Sequence, residues 1–186
     1  MLTEYHTEKY RIVMYEDATF TENSTDIVHP YDVTYIRASD YRIPSIFGIS
    51  IYHDGVLLKS VCIGSDGGAT SIHKTSTIID NDRLVVCCSD SVFCLSIPEL
   101  SLEWRTQADD ITCFQIFSYQ DSYIIHGECC ISRLSKDGEI LWQQGGADIF
   151  VNIDGADGCV LTDNSIVATD FTNRKYTFDF SGRIIE

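Results

Sequence analysis

The side chains with chemistry to offer are eight cysteines, one His-x-Glu and two Asp/Gly-rich stretches. The cysteines are Cys62, Cys87, Cys88, Cys94, Cys113, Cys129, Cys130 and Cys159. No Cys-x-x-Cys occurs, so the usual zinc spacing is missing. Cys87-Cys88 and Cys129-Cys130 sit in apolar, strand-like runs. Neighbours in a strand point to opposite faces, so neither pair can grip one metal ion together. The cysteines read as buried, reduced, small apolar residues. His126-Gly127-Glu128 offers the His-x-Glu of a zinc deaminase, but no Pro-Cys-x-x-Cys follows it. Asn152-Ile153-Asp154-Gly155-Ala156-Asp157-Gly158 begins like a calcium loop, yet Asp157 stands where an EF-hand needs Gly. Gly64-Ser65-Asp66-Gly67-Gly68 could cradle a phosphate, but the Lys and following helix of a P-loop are absent. Each reads better as a turn. No metal, cofactor or catalytic residue is expected.

Charge says more than these motifs. The chain has 186 residues, with 13 Lys+Arg against 28 Asp+Glu and a net charge of −15. A phosphate-backbone binder needs a field of Lys and Arg, so nucleic acid is not an expected partner. No apolar run approaches the ~18 residues of a membrane helix, so no membrane role is expected. The first residues lack the basic and apolar regions of a secretory signal, which points to a cytoplasmic protein. Strong acidity suits a soluble surface or electrostatic steering toward a basic protein. Asp66, Asp109, Asp110, Asp154 and Asp157 fall in loops between expected strands, where binding residues tend to lie. They are the candidate partner-binding residues.

The elements that must position them read as strands. Ile occurs 23 times, Val 11 and Thr 15, against 10 Leu and 7 Ala. β-branched residues suit a pleated surface and helices prefer Ala and Leu. Short apolar runs alternate with turns, with no sustained helical stripe. Four hairpins stand out. Phe47–Tyr52 and Val56–Val61 flank His53-Asp54-Gly55, and Val92–Ile97 and Ser101–Trp104 flank Pro98-Glu99-Leu100. Cys130–Ser135 and Glu139–Trp142 flank Lys136-Asp137-Gly138, and Tyr176–Phe180 and Arg183–Ile185 flank Ser181-Gly182. Asp-Gly between alternating apolar residues is a strong hairpin signal. In a second register of the last unit the turn is Thr172-Asn173-Arg174, leaving Arg183–Ile185 as a spare strand. Further apolar runs precede the second and third hairpins, giving four strands per ~40 residues, the period of a β-propeller blade.

Ile131-Ser132-Arg133-Leu134-Ser135-Lys136-Asp137-Gly138-Glu139-Ile140-Leu141-Trp142 resembles the repeat of quinoprotein-like and WD40-like propellers. That repeat turns at a Gly-Glu element and closes its fourth strand on Leu-Trp. Cys94–Trp104 is similar, with Pro98-Glu99-Leu100 in place of the Gly turn, and the likeness runs over about residues 75–186. Enzymes of that family bind pyrroloquinoline quinone, some beside a vicinal Cys-Cys, but on much longer exported chains. The resemblance implies a fold and no cofactor.

The fold expectation is all-β, a small propeller or propeller-like array of about four four-stranded units. It forms one domain over 1–186, with an irregular part at 1–45 and repeats over 46–186. The functional expectation is a non-enzymatic cytoplasmic protein-binding module, an acidic inhibitor or immunity-type protein for a basic partner. The alternative is a small-ligand sensor or enzyme using the central channel or a loop face. If the ring is incomplete, a second copy would complete it as a homodimer.

Overall fold

In the computed structural model the described residues are 2–21, 29–36, 43–152 and 158–185. They form sixteen strands in four sheets. The first sheet holds β1 (Leu2–His6), β2 (Arg11–Glu16), β4 (Ser45–His53), β5 (Val56–Ser65) and β3 (Val33–Ile36), in that order. The second is β6 (Thr77–Asp80), β7 (Arg83–Cys88), β8 (Ser91–Ser96) and β9 (Leu102–Gln107). The third is β10 (Cys113–Tyr119), β11 (Ser122–Gly127), β12 (Cys130–Ser135) and β13 (Ile140–Gly145). The fourth is β14 (Cys159–Leu161), β15 (Ile166–Thr169) and β16 (Lys175–Phe178). Apart from β3, each sheet is an antiparallel meander, and the array is propeller-like. Residues 2–16 supply two strands of the first sheet, so the expected division at residue 45 falls inside that sheet. What interrupts the repeat is the connection from β2 to β4, which adds β3 in parallel beside β5.

The pleat sends alternate side chains to opposite faces, and three cores result. Ile12, Phe47, Ile49 and Ile63 of the first sheet pack on Leu84, Val86, Cys88 and Phe93 of the second. Val85, Cys87 and Cys94 of the second pack on Ile116, Tyr123 and Leu134 of the third. Ile124 and Ile131 of the third pack on Ile166, Ala168 and Phe178 of the fourth. Cys87 and Cys88 therefore belong to different cores, as strand alternation requires. Among the described residues no core cluster joins the first sheet to the fourth.

The hairpin Asp54-Gly55 has φ of 50° and 78°, as a two-residue primed turn demands. A register shift recurs between the third and fourth strands: at Ile51/Tyr52, Cys94/Leu95 and Arg133/Leu134. The residue following each bulge is Lys59, Trp104 or Trp142. The indole of Trp104 lies on Gly138 of the next sheet and donates Nε1–H to the Lys136 carbonyl at 3.0 Å. Trp142 lies on Gly182 and donates to the Phe180 carbonyl at 3.1 Å. This equivalence decides the register of the last unit. Ser181-Gly182 is its third-to-fourth-strand turn, and the fourth strand is reduced to the bridge Phe178–Ile184.

The meander gives the array two ends. The turns between first and second and between third and fourth strands lie at one, the hairpin end. The connections between sheets, at 66–76, 108–112 and 146–158, lie at the other, the linker end, with the second-to-third-strand turns.

Candidate binding surface

Asp66, Asp109 and Asp110 all come to the linker end, because each lies between the last strand of one sheet and the first of the next. Asp154 and Asp157 lie outside the described residues. Backbone hydrogen bonds lay the connections side by side. Gly68 donates N–H to the Ile111 carbonyl at 2.6 Å, Glu128 to Thr112 at 2.7 Å, and Phe150 to Glu128 at 2.6 Å. Gly67 is needed in this stack, since a Cβ there would press on the Asp90 backbone at 2.5 Å.

The three aspartates separate by role. Asp109 is 2% exposed. Its Oδ1 accepts the N–H groups of Ile111 (2.8 Å) and Thr112 (3.0 Å). Its Oδ2 accepts those of Cys129 (2.8 Å) and Cys130 (3.0 Å). Asp109 thus fastens the second-to-third connection onto the β11–β12 turn, and its carboxylate is spent internally. Asp66 and Asp110 are exposed. Exposed Asp148 and half-buried Glu128 join them on the same rim, and sequence reasoning did not single these two out. Their one signal was a place in a loop between strands.

Electrostatics marks the rim. Burial, together with the charges of Asp109, Glu128 and Asp110, pushes the Cys129 thiol up to about 11. Cys130, beside Asp109, is pushed to about 12, again chiefly by burial. Both thiols are therefore held protonated and unreactive near neutrality. Among the described residues, Asp66, Asp110, Glu128 and Asp148 enter no ion pair. The ion pairs lie toward the hairpin end instead: Arg11–Glu4, Arg83–Glu103, Lys136–Asp80 and Arg183–Asp179, with His6–Glu4 and His53–Asp54. The Lys136 ammonium and the Tyr123 hydroxyl hold the Asp80 carboxyl below its ordinary range. Hydrogen bonds from Ser181 and Arg183 hold Asp179 down at about 2.

Among the described residues, basic groups at the linker end are few. Arg105 is turned inward, donating to Ser65 at 2.6 Å and Ser91 at 3.2 Å beside buried Asp90. Lys74 is exposed, as are Arg174 and Lys175 of the fourth sheet. His126 is buried, with Nδ1 2.9 Å from Gln115 Oε1 and Nε2 2.9 Å from the Phe150 carbonyl. It pins β11 to β10 and to the connection after β13. Among the described residues, no group of three or more His, Cys, Asp or Glu is arranged to hold a metal ion.

No family model and no curated protein matches this chain. Solved structures do. The computationally designed Ika8 protein matches with a TM-score of 0.54 at 9% identity, over 100% of this chain and 60% of that one. BamB from Moraxella catarrhalis matches with a TM-score of 0.49 at 13% identity, over 100% of this chain and 60% of that one. The designed Ika4 protein matches with a TM-score of 0.49 at 10% identity, over 81% of this chain and 99% of that one. This chain spans about 60% of the length of the first structure it matches. At such identity the likeness to Ika8 speaks of fold alone.

Proposed function

We propose that this chain is a non-enzymatic protein-binding module whose linker end receives a basic protein, as an inhibitor or immunity-type protein would. The observation that carries the reading is the partition of charge. Asp66, Asp110, Glu128 and Asp148 gather on adjacent loops of one rim and, among the described residues, enter no ion pair, whereas the ion pairs that do form, Arg11–Glu4, Arg83–Glu103, Lys136–Asp80 and Arg183–Asp179 among them, lie toward the hairpin end. Unpaired carboxylates on adjacent loops create a negative field that steers a cationic partner and raises its association rate. The recurring placement of Trp104 on Gly138 and Trp142 on Gly182 supports a finer assignment of the fold to the quinoprotein-like or WD40-like class.

The test uses two immobilised proteins, the wild type and the variant D66N/D110N/E128Q/D148N. Partners are captured on both from native lysate and eluted with salt. We expect a basic protein on the wild type that the variant captures at least about tenfold more slowly, with the difference vanishing at molar salt. A partner held equally by both columns, or one associating equally fast at low and molar salt, would make the proposal wrong.

A further inference from the structure

The junction of the first and second sheets departs from the other two. At those two an indole fills the space between the outermost strand and the next sheet's turn. At the first junction the matching residue is Lys59, and the receiving turn carries Leu100 where the others have Gly138 and Gly182. A Cβ at Gly138 would come within 2.6 Å of the Trp104 ring, so Leu100 leaves no room for an indole in that pose. Tyr35 of the inserted strand β3 takes over one task, its hydroxyl reaching the Leu100 carbonyl at 3.2 Å. Outside this contact a groove of about 410 Å³ stays open between Val33, Tyr35 and Leu58 on one side and Pro98 and Glu99 on the other. Lys59 also lines it, and neither Lys59 nor Glu99 enters an ion pair among the described residues.

The strand beside the groove is incomplete. β3 pairs with Val61–Gly64, and Asp32 closes its start by donating N–H to the Ser60 carbonyl at 2.9 Å. Among the described residues, the preceding stretch of β5, from Val56 to Lys59, has no strand on that side. Val56, Leu57 and Leu58 are 63%, 51% and 47% exposed there. A free strand edge invites a further strand. Apolar side chains and an adjacent groove would give that strand an anchor.

We propose that this edge and groove bind an extended peptide segment of a protein partner. The segment pairs with Val56–Lys59 in line with β3, places one apolar side chain over Leu58 and Pro98, and sets its flanking charges against Lys59 and Glu99. The site is at the hairpin end, so it is separate from the acidic rim. A second copy pairing edge to edge would bring together two chains of net charge −15, which disfavours it as the occupant.

A phage-displayed random dodecapeptide library panned on the chain tests this, with selected peptides measured on Leu58→Asp, Glu99→Lys and the D66N/D110N/E128Q/D148N variant. Unfolding curves of each variant are recorded alongside, and Glu99→Lys serves if Leu58→Asp does not fold. We expect peptides with a shared apolar residue that bind Leu58→Asp at least about tenfold more weakly and the rim variant unchanged. Their preferred flanking charges should invert on Glu99→Lys. Three results would overturn the proposal: no enrichment; basic peptides sensitive only to the rim variant; or a wild-type dimer in sedimentation that Leu58→Asp abolishes. The second of these would leave the acidic-rim reading standing, so the two proposals fail separately.

Discussion

Asp109 and Asp110 are neighbours of identical chemistry with opposite uses. A carboxylate turned into a loop end satisfies N–H groups that would otherwise be buried without partners, and Asp109 takes four of them. Asp110, one residue on, points to solvent. Asp109→Ala leaves those donors unmatched and is expected to lower stability by about 3 kcal/mol in urea unfolding. Asp110→Ala should change it by less than about 0.5 kcal/mol. Equal effects from the two would show that Asp109 is no fastening. Asp17 and Asp170 repeat the device, each with Oδ1 on its own turn and Oδ2 on a tyrosine, at Tyr31 and Tyr176.

The strands are joined by a unit larger than a hairpin. The bulge after the third strand re-aims the next residue so that it reaches across to the following sheet. Where that residue is Trp, the turn that receives it has Gly at positive φ, 83° at Gly138 and 84° at Gly182. Gly55 has a similar φ of 78°, but a Cβ there would meet nothing within 4 Å. Gly55→Ala therefore bears only the backbone strain, about 1–2 kcal/mol. Gly138→Ala adds a collision with the Trp104 ring and should cost about 3 kcal/mol or more in thermal unfolding. The gap between them should close in a Trp104→Ala background; if it persists there, the indole is not what excludes the Cβ.

Across the molecule, stability is assembled from neighbouring pairs of sheets. Each core joins two consecutive sheets, so a perturbation should weaken with distance along the array, as in repeat proteins. Phe178→Ala empties a fully buried position in the last core and should cost about 3–5 kcal/mol there. Hydrogen exchange is expected to quicken in β14–β16 while β4 and β5 keep their protection. An equal loss of protection in every sheet would mean that the four sheets open as one unit.

The strand content, the meander and its period were legible in the sequence because they follow from local rules. Alternating apolar residues, β-branched side chains and Asp-Gly turns act over a few neighbours. Cys87-Cys88 showed its opposite-facing pleat for the same reason. β1 escaped notice because Leu2, Glu4 and His6 are exposed and give only a weak apolar alternation. The register of the last sheet was open between two local readings, and Trp142 resting on Gly182 decided it from 38 to 40 residues away. The site divides in the same way. Loop composition placed Asp66, Asp109 and Asp110 between strands. Only the packing of the connections could bury Asp109, gather Glu128 and Asp148 beside the others, and leave those rim carboxylates outside the ion pairs of the described residues. Burial and ion pairing are properties of atoms brought together by the fold, and residues adjacent in the chain carry no record of them.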